Sequence, residues 1–284
     1  ENSLRTIDFK ELKPEKPFYF LIPKNFDLIE KFEKGFKVDD LFKKNVTGIV
    51  TMGDGFIVTE NPEELENRLQ KFLLNEFSET EISKIFNLGK NYSKWIFENK
   101  NDVSFDKKNI IKLLYRPFDI RYTYFDNKII WRWRYEVMQH FIRGNNIGLA
   151  IGRQGQVIGS DVWDIISITK NIIDFNYYRR GGEVVFPLYL YQEPTAFDER
   201  ERIPNFNPKI LAEIEAKLGM KCVDDENFGK ENFGKENFGK ENFGKVLNFA
   251  EVENTSEVEN TPKAESKKTN FSPLHLLDYI YAVL

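Results

Sequence analysis

Arginine and aromatic side chains alternate through the middle of this chain, in Tyr115-Arg116-Pro117-Phe118 and again in Trp131-Arg132-Trp133-Arg134-Tyr135. Guanidinium groups fork onto phosphate oxygens and onto the acceptor edge of guanine, so this mixture suits backbone tracking combined with base-edge contact. Between residues 105 and 185, thirteen Lys and Arg face eight Asp and Glu, and eight of those cations are Arg. The stretch is therefore five charges positive inside a chain of formal net charge -4, which leaves -9 for the remainder. The acidic total argues against a simple nucleic-acid binder, while the distribution argues for one. Two further basic corners are Arg153-Gln154-Gly155-Gln156, just after an apolar run, and Arg179-Arg180-Gly181-Gly182. Arginine and glutamine read guanine and adenine respectively, and the glycines would let backbone approach a phosphate. The residues singled out for contact with duplex DNA are Arg116, Arg121, Arg132, Arg134, Arg143, Arg153, Gln154, Arg179 and Arg180. A plainer reading stands beside this one: Arg116 or Arg121 paired with Asp119 in structural ion pairs, and the two basic corners as solvated loops.

Other chemistries lack their residues. There is no Pro-Pro pair, so the Asn- or Asp-Pro-Pro-aromatic element with which adenine methyltransferases hold a flipped base is absent. Gly53-Asp54-Gly55 lacks the third glycine of a dinucleotide fingerprint, and no phosphate-binding Walker loop is present. One cysteine, Cys222, and two histidines, His140 and His275, cannot build a zinc site or a Cys-His pair. His140, in Glu136-Val137-Met138-Gln139-His140-Phe141, reads as a packing or hydrogen-bonding histidine. Carboxylates are plentiful, but nothing marks out an acid-base pair. The expectation is thus no catalytic, cofactor or metal residue. The single cysteine, and the lack of a long apolar run or leader, point to the cytoplasm and to no membrane partner.

The residues need elements to hold them. Residues 18–22 predict a strand running into Pro23, and 25–34 a helix closed by Gly35. The β-branched runs at 47–51 and 56–59, around Gly53-Asp54-Gly55, predict a hairpin. Asn61-Pro62-Glu63-Glu64 predicts a helix to about 74, and the capping box Ser78 to Glu81 another ending near Gly89. Strands are expected at 120–125, 147–151, 165–168 and 184–191, and helices at 135–142 and 208–218, the latter stopped by Gly219. From 224 to about 270 the chain stops looking folded: Glu-Asn-Phe-Gly-Lys repeats four times from Glu226 to Lys245, a period that fits neither helix nor strand. The irregular alternation predicts an α+β fold, with mixed sheets and packed helices plus a flexible low-complexity insertion. The expected division is an N-terminal α+β part at 1–104, an arginine- and aromatic-rich core at 105–221, the insertion at 222–270 and a helix at 271–284. The bare opening Glu1-Asn2-Ser3 and closing Ala282-Val283-Leu284 suggest a piece of a longer protein.

The block Tyr115-Arg116-Pro117-Phe118-Asp119-Ile120-Arg121 resembles the C-terminal specificity region of Type ISP restriction-modification enzymes. So do Arg132-Trp133-Arg134-Tyr135-Glu136-Val137-Met138-Gln139-His140, where Trp133 stands in place of the pattern's proline, and Asn146-Ile147-Gly148-Leu149 leading to Arg153-Gln154. Thr47-Gly48-Ile49-Val50-Thr51 with Asp54, Phe186-Pro187-Leu188-Tyr189-Leu190-Tyr191 and the closing Tyr279-Ile280-Tyr281-Ala282-Val283-Leu284 match in the same order. The resemblance implies a module that clamps duplex DNA and reads its target, with no activity of its own. A target adenine would be presented to a methyltransferase, accompanied by a translocating ATPase and a nuclease, in parts of the polypeptide absent from this sequence. Those parts would use S-adenosylmethionine, ATP and magnesium; this chain would hold no cofactor. Within the resemblance Arg153 and Gln154 are the expected base-reading pair, and Arg116, Arg121, Arg132 and Arg134 serve phosphate positioning or architecture. The alternative is a non-catalytic module that docks on a methyltransferase core.

Overall fold

The computed structural model describes residues 35–152, 165–178, 181–192, 201–224 and 270–284. The chain divides into two compact units, Glu1–Leu41 and Phe42–Leu284. The strand and helix expected at 18–22 and 25–34 lie outside the described residues. In the first unit a single helical turn, α1 (Val38–Leu41), is described.

In the second unit the helices begin where local chemistry says they should. After the short α2 (Asp54–Ile57), α3 (Pro62–Leu73) starts at Asn61, whose side-chain oxygen accepts from the N–H groups of Glu63 and Glu64. Leu65, Leu69 and Phe72, at i, i+4 and i+7, form its buried face. The Ser78–Glu81 capping box opens α4 (Glu79–Ile85), and α5 (Lys90–Asn99) follows directly. Phenylalanines bind this group together: Phe56 meets Phe72 at 5.4 Å and Phe86 at 5.2 Å, and Phe72 meets Phe97 at 5.2 Å. Further along come α6 (Tyr135–Met138), α7 (Pro208–Leu218), which is capped by Asn207 and ended by the left-handed Gly219, and α8 (Pro273–Val283), capped by Ser272.

The strands are β1 (Val46–Thr47), β2 (Val58–Thr59), β3 (Ile110–Arg116), β4 (Asp119–Tyr124), β5 (Gly148–Ile151), β6 (Ile166–Thr169), β7 (Ile172–Ile173), β8 (Val184–Pro187), β9 (Tyr189–Tyr191), β10 (Arg202–Pro204), β11 (Lys221–Cys222) and β12 (Asn270–Phe271). They form two four-stranded sheets, ordered β1-β8-β5-β6 and β2-β4-β3-β7, and two strand pairs, β10-β9 and β11-β12. The first sheet is antiparallel throughout, whereas β7 joins the second parallel to β3. The α+β expectation with mixed sheets and packed helices therefore holds.

The chain stitches the two sheets at one place. β6 of the first sheet runs into β7 of the second through a turn closed by the Thr169 hydroxyl, which donates to the Asn171 carbonyl at 2.8 Å. A few residues past β1, Ile49 bridges to Asp174 and Val50 to Arg132. Gly48 is what permits this crossing: a Cβ there would lie 2.5 Å from the Asp174 carbonyl carbon.

Several expectations change. Residues 47–59 do not form a hairpin; β1 pairs with β8 and β2 with β4, while Asp54 begins a helical turn between them. Gly53 lies against the ring of buried Tyr92, and the Thr51 hydroxyl donates to Asp54, which turns the loop inward. The helix from Ser78 stops at Ile85, because left-handed Asn87 breaks it before Gly89 leads into α5. Residues 184–191 are two strands, not one, since the Leu188 N–H leaves the ladder for the Ile147 carbonyl. Strand β3, with its apolar residues in pairs and no alternation, was not expected at all. The second sheet joins strands from both sides of position 104, and β11 pairs with β12 across the insertion. The four repeats themselves lie outside the described residues.

Buried amides tie loops to the first sheet. Asn146, 4% exposed, donates to the carbonyls of His140 and Tyr189, and its oxygen accepts from the N–H groups of Ile147 and Tyr189. Replacing it by alanine strands two buried carbonyls and two N–H groups. Asn146→Ala is expected to cost about 2–4 kcal/mol, read as a lowered urea midpoint with an unchanged m-value.

Candidate nucleic-acid interface

The β3–β4 hairpin carries the first arginine motif and closes through a two-residue turn, Pro117-Phe118, between the paired Arg116 and Asp119. Tyr115 lies between two guanidinium groups: that of Arg116 is 3.8 Å from its ring centroid and that of Arg121 is 4.6 Å away. Each arginine is also held by acid. Arg121 places its Nε 3.0 Å from both oxygens of Asp119, and its Nη2 lies 2.9 Å from Oδ2. Arg116 places Nη1 2.7 Å from Asp174 Oδ1 and Nη2 3.9 Å from Asp54 Oδ2. The Tyr115 hydroxyl donates to Asp54 Oδ2 at 2.7 Å.

Asp174 is the buried centre of this cluster, its side chain 2% exposed. Burial pushes its pKa up to about 6, with the Asp54 charge adding to the rise; the Asn176 N–H and Arg116 pull the other way. Burial and the hydrogen bond to Asp54 push the Tyr115 phenol up to about 12. Beside the cluster opens a pocket of about 480 Å³, walled by Val50–Gly55, Phe86–Leu88 and Asn176. Asp54 is its charged wall residue, and left-handed Met52 and Asn87 shape its rim.

The second arginine motif sits on the other side of the sheet crossing. Arg132 exchanges both backbone hydrogen bonds with Val50 at 3.0 Å. In such a pair the two side chains leave the ribbon on one face, so exposed Arg132 stands next to the pocket wall. Arg134 adopts a left-handed conformation, φ 53°, and thereby lets Trp133 and Tyr135 stack at 4.7 Å. Its Nε is buried with no hydrogen-bond partner among the described residues. Trp133, in place of the pattern's proline, also packs on Phe125 at 5.3 Å. Arg143 is exposed, one turn beyond His140. His140 itself is buried: its Nδ1 accepts from the Tyr191 N–H, and burial, with Lys44 and Arg143 nearby, lowers its pKa to about 4.

Arg153, Gln154, Arg179 and Arg180 lie outside the described residues. The Gly152 N–H donates to the Ile165 carbonyl at 2.8 Å and extends the β5–β6 pairing. The Gly182 N–H donates to the Phe175 carbonyl at 2.8 Å, next to Asp174. The structure thus brings Arg116 and Arg121 together around Tyr115 and pairs the backbone of Arg132 with that of Val50. Sequence reading missed Asp174 as the anchor of Arg116, because the two lie 58 positions apart. It also missed Phe118, 104% exposed at φ 64° on the hairpin tip. No group of three or more metal-binding side chains occurs among the described residues, and no described helix is long and apolar enough to cross a membrane.

The raised pKa of Asp174 has a definite sign. Between about pH 4 and pH 6 the folded protein holds a proton there that the unfolded chain has released, so this group favours folding most at the acid end and less as pH rises. It accounts for a loss of up to about 3 kcal/mol over that interval. Urea unfolding of the protein and of Asp174→Asn at about pH 4, 5, 6 and 7 is expected to show the wild type losing this advantage as pH rises. A stability difference between the two that stays level across the range would refute the assignment.

The family described as the Type ISP C-terminal specificity domain matches residues 40–284. No protein of curated function matches. Among solved structures the chain is similar to one from a DrdV–DNA complex (18% identity, TM-score 0.47, 76% of this chain and 22% of that one). It is also similar to the ATP-dependent Type ISP restriction-modification enzyme LlaBIII bound to DNA (19%, 0.47, 64% and 12%). A third is a nuclease-deletion mutant of the Type ISP enzyme LlaGI in complex with a DNA substrate mimic (14%, 0.47, 75% and 18%). The chain spans less than a quarter of the length of each.

Proposed function

We propose, because this chain belongs to the Type ISP C-terminal specificity domain family, that it recognises target sequences in duplex DNA for a restriction-modification enzyme. The family match over residues 40–284 is the observation that carries this reading. The geometry adds a division of labour. Arg116 and Arg121 are architecture, each closed against acid and against Tyr115. Exposed Arg132 and Arg143, with Arg179 and Arg180, are phosphate-positioning groups; Arg134, half-buried, sets the Trp133–Tyr135 stack. Arg153 and Gln154, rooted on the β5–β6 pair, read base edges, for which their donors and acceptors suit guanine and adenine. This chain then presents one adenine to an S-adenosylmethionine-dependent N6 methyltransferase elsewhere in the polypeptide, where ATP and magnesium serve translocation and cleavage. No catalytic step falls to this chain, which works in the cytoplasm on double-stranded DNA.

The acid pairing of Arg116 and Arg121 favours a second role for their hairpin, packing against a protein core instead of phosphate. Salt separates the two. Binding to a random duplex pool is expected to weaken log-linearly as salt rises from 50 to 200 mM, with a slope of about -0.9 per phosphate neutralised. Arg132→Ala should flatten that slope by about one unit, while Arg116→Ala lowers stability. Arg153→Ala with Gln154→Ala should broaden the sequences selected from the pool and leave the slope nearly unchanged. Binding indifferent to salt would refute the DNA reading.

A further inference from the structure

The turn at Pro117-Phe118 is built against the usual preferences of a chain. Proline at its first position and positive φ at its second are the pattern of a type II turn, whose second position takes glycine or asparagine. Here that position holds phenylalanine, at φ 64°, with its ring wholly in solvent at 104% exposure. A bulky residue held left-handed is strained, and an apolar ring in water gains nothing in the isolated fold. Both penalties persist because the surroundings fix the turn from either side. Asp119 is clamped bidentately by Arg121, Arg116 is pinned to Asp174, and Tyr115 is packed between the two guanidinium groups. A register shift between Leu114 and Arg116 interrupts the ladder at the root of the tip.

We propose that Phe118 is a wedge that inserts into the base stack of duplex DNA. The inference rests on the DNA-recognition reading above and adds to it a contact that the arginines do not make. Three observations favour a base stack over a protein pocket as the occupant. The tip is a two-stranded ribbon, narrow enough to enter a groove. The two side chains at its end, proline and phenylalanine, are of the kinds that unstack base steps. Along the hairpin tip the exposed apolar side chains among the described residues are Pro117, Phe118 and, two residues on, Ile120, far short of the continuous patch that a protein interface of standard size buries. Stacking on a ring is indifferent to base identity, so Phe118 supplies affinity and deformation while reading stays with other residues.

The experiment uses the duplex that the protein selects from a random pool, with 2-aminopurine placed at successive positions; this base brightens when it is unstacked. With the wild-type protein, fluorescence is expected to rise several-fold at one step of the site. Phe118→Ala should abolish that rise and weaken binding by about tenfold, with the salt slope unchanged; Phe118→Trp should retain both. Phe118→Gly, which relieves the left-handed strain, should raise the melting temperature while it too loses the fluorescence signal, which separates the wedge from any role in folding. The proposal is overturned if no position brightens with the wild type, or if Phe118→Ala binds and brightens like wild type. A Phe118→Ala protein with intact DNA binding but weakened association with a protein partner also overturns it. If the wild type shows no salt-dependent affinity for duplex DNA, the underlying recognition reading is what fails.

Discussion

One buried carboxylate constrains the rest of this fold. Asp174 sits directly after β7 of the second sheet, with the backbone of Gly48 from the end of β1 pressed against it and solvent excluded. A carboxylate in such a place must be protonated or paired. Arg116, 2.7 Å away, supplies the pair and in doing so fixes the end of β3. From that one contact the neighbouring geometry follows. With Arg116 in place, Tyr115 has a guanidinium on one face, its hydroxyl reaches Asp54, and Asp54 in turn holds the Thr51 hydroxyl. Three stretches far apart in sequence, at 48–54, 115–121 and 174–176, thus become one rigid corner. Removing the Arg116 charge would leave Asp174 buried without its partner, a loss of about 3–5 kcal/mol in comparable pairs.

The sequence disclosed this corner only in fragments. Helix starts were legible because capping is local: Asn61, Ser78, Asn207 and Ser272 each sit within three residues of the N–H groups they satisfy. Strand partners were less accessible. The runs at 47–51 and 56–59 look like two arms of a hairpin because they flank glycines, yet Val46 pairs with Val185 and Val58 with Thr123. Proximity in sequence lost there to pairing across more than 60 positions. Strand β3 escaped because Ile110-Ile111-Lys112-Leu113-Leu114 has no period of two; paired on both edges inside its sheet, it has little need of one.

The arginines show the same limit. Composition can count guanidinium groups but cannot say which of them are already satisfied. Arg121 with Asp119 was visible as a candidate ion pair, two residues apart, and it forms. The other candidate, Arg116 with Asp119, does not form a side-chain pair; those residues are cross-strand neighbours, and Arg116 turns to Asp174. The net charge of +5 over residues 105–185 therefore overstates the cation available to a partner around the hairpin. In the sequence the rest of that positive charge lies outside the hairpin, at Arg132 and the two basic corners among other positions.

This separation suits a module whose target must be able to differ between enzymes that share a scaffold. A reading surface needs segments free to vary, mounted on roots that do not move. In sequence Arg153 and Gln154 fall between Gly152 and Ile165, whose backbones are hydrogen-bonded at the first sheet, and Arg179 and Arg180 fall between Phe175 and Gly182, hydrogen-bonded likewise. The second of these roots adjoins Asp174 directly, and the first belongs to the sheet from which β6 runs into β7 and on to Asp174. An arginine that steadies the corner cannot be exchanged without loosening both, whereas a residue beyond the roots can. On this argument the motif that identifies the family most clearly in the sequence, Tyr115 to Arg121, is the part whose arginines have least freedom to encode a target.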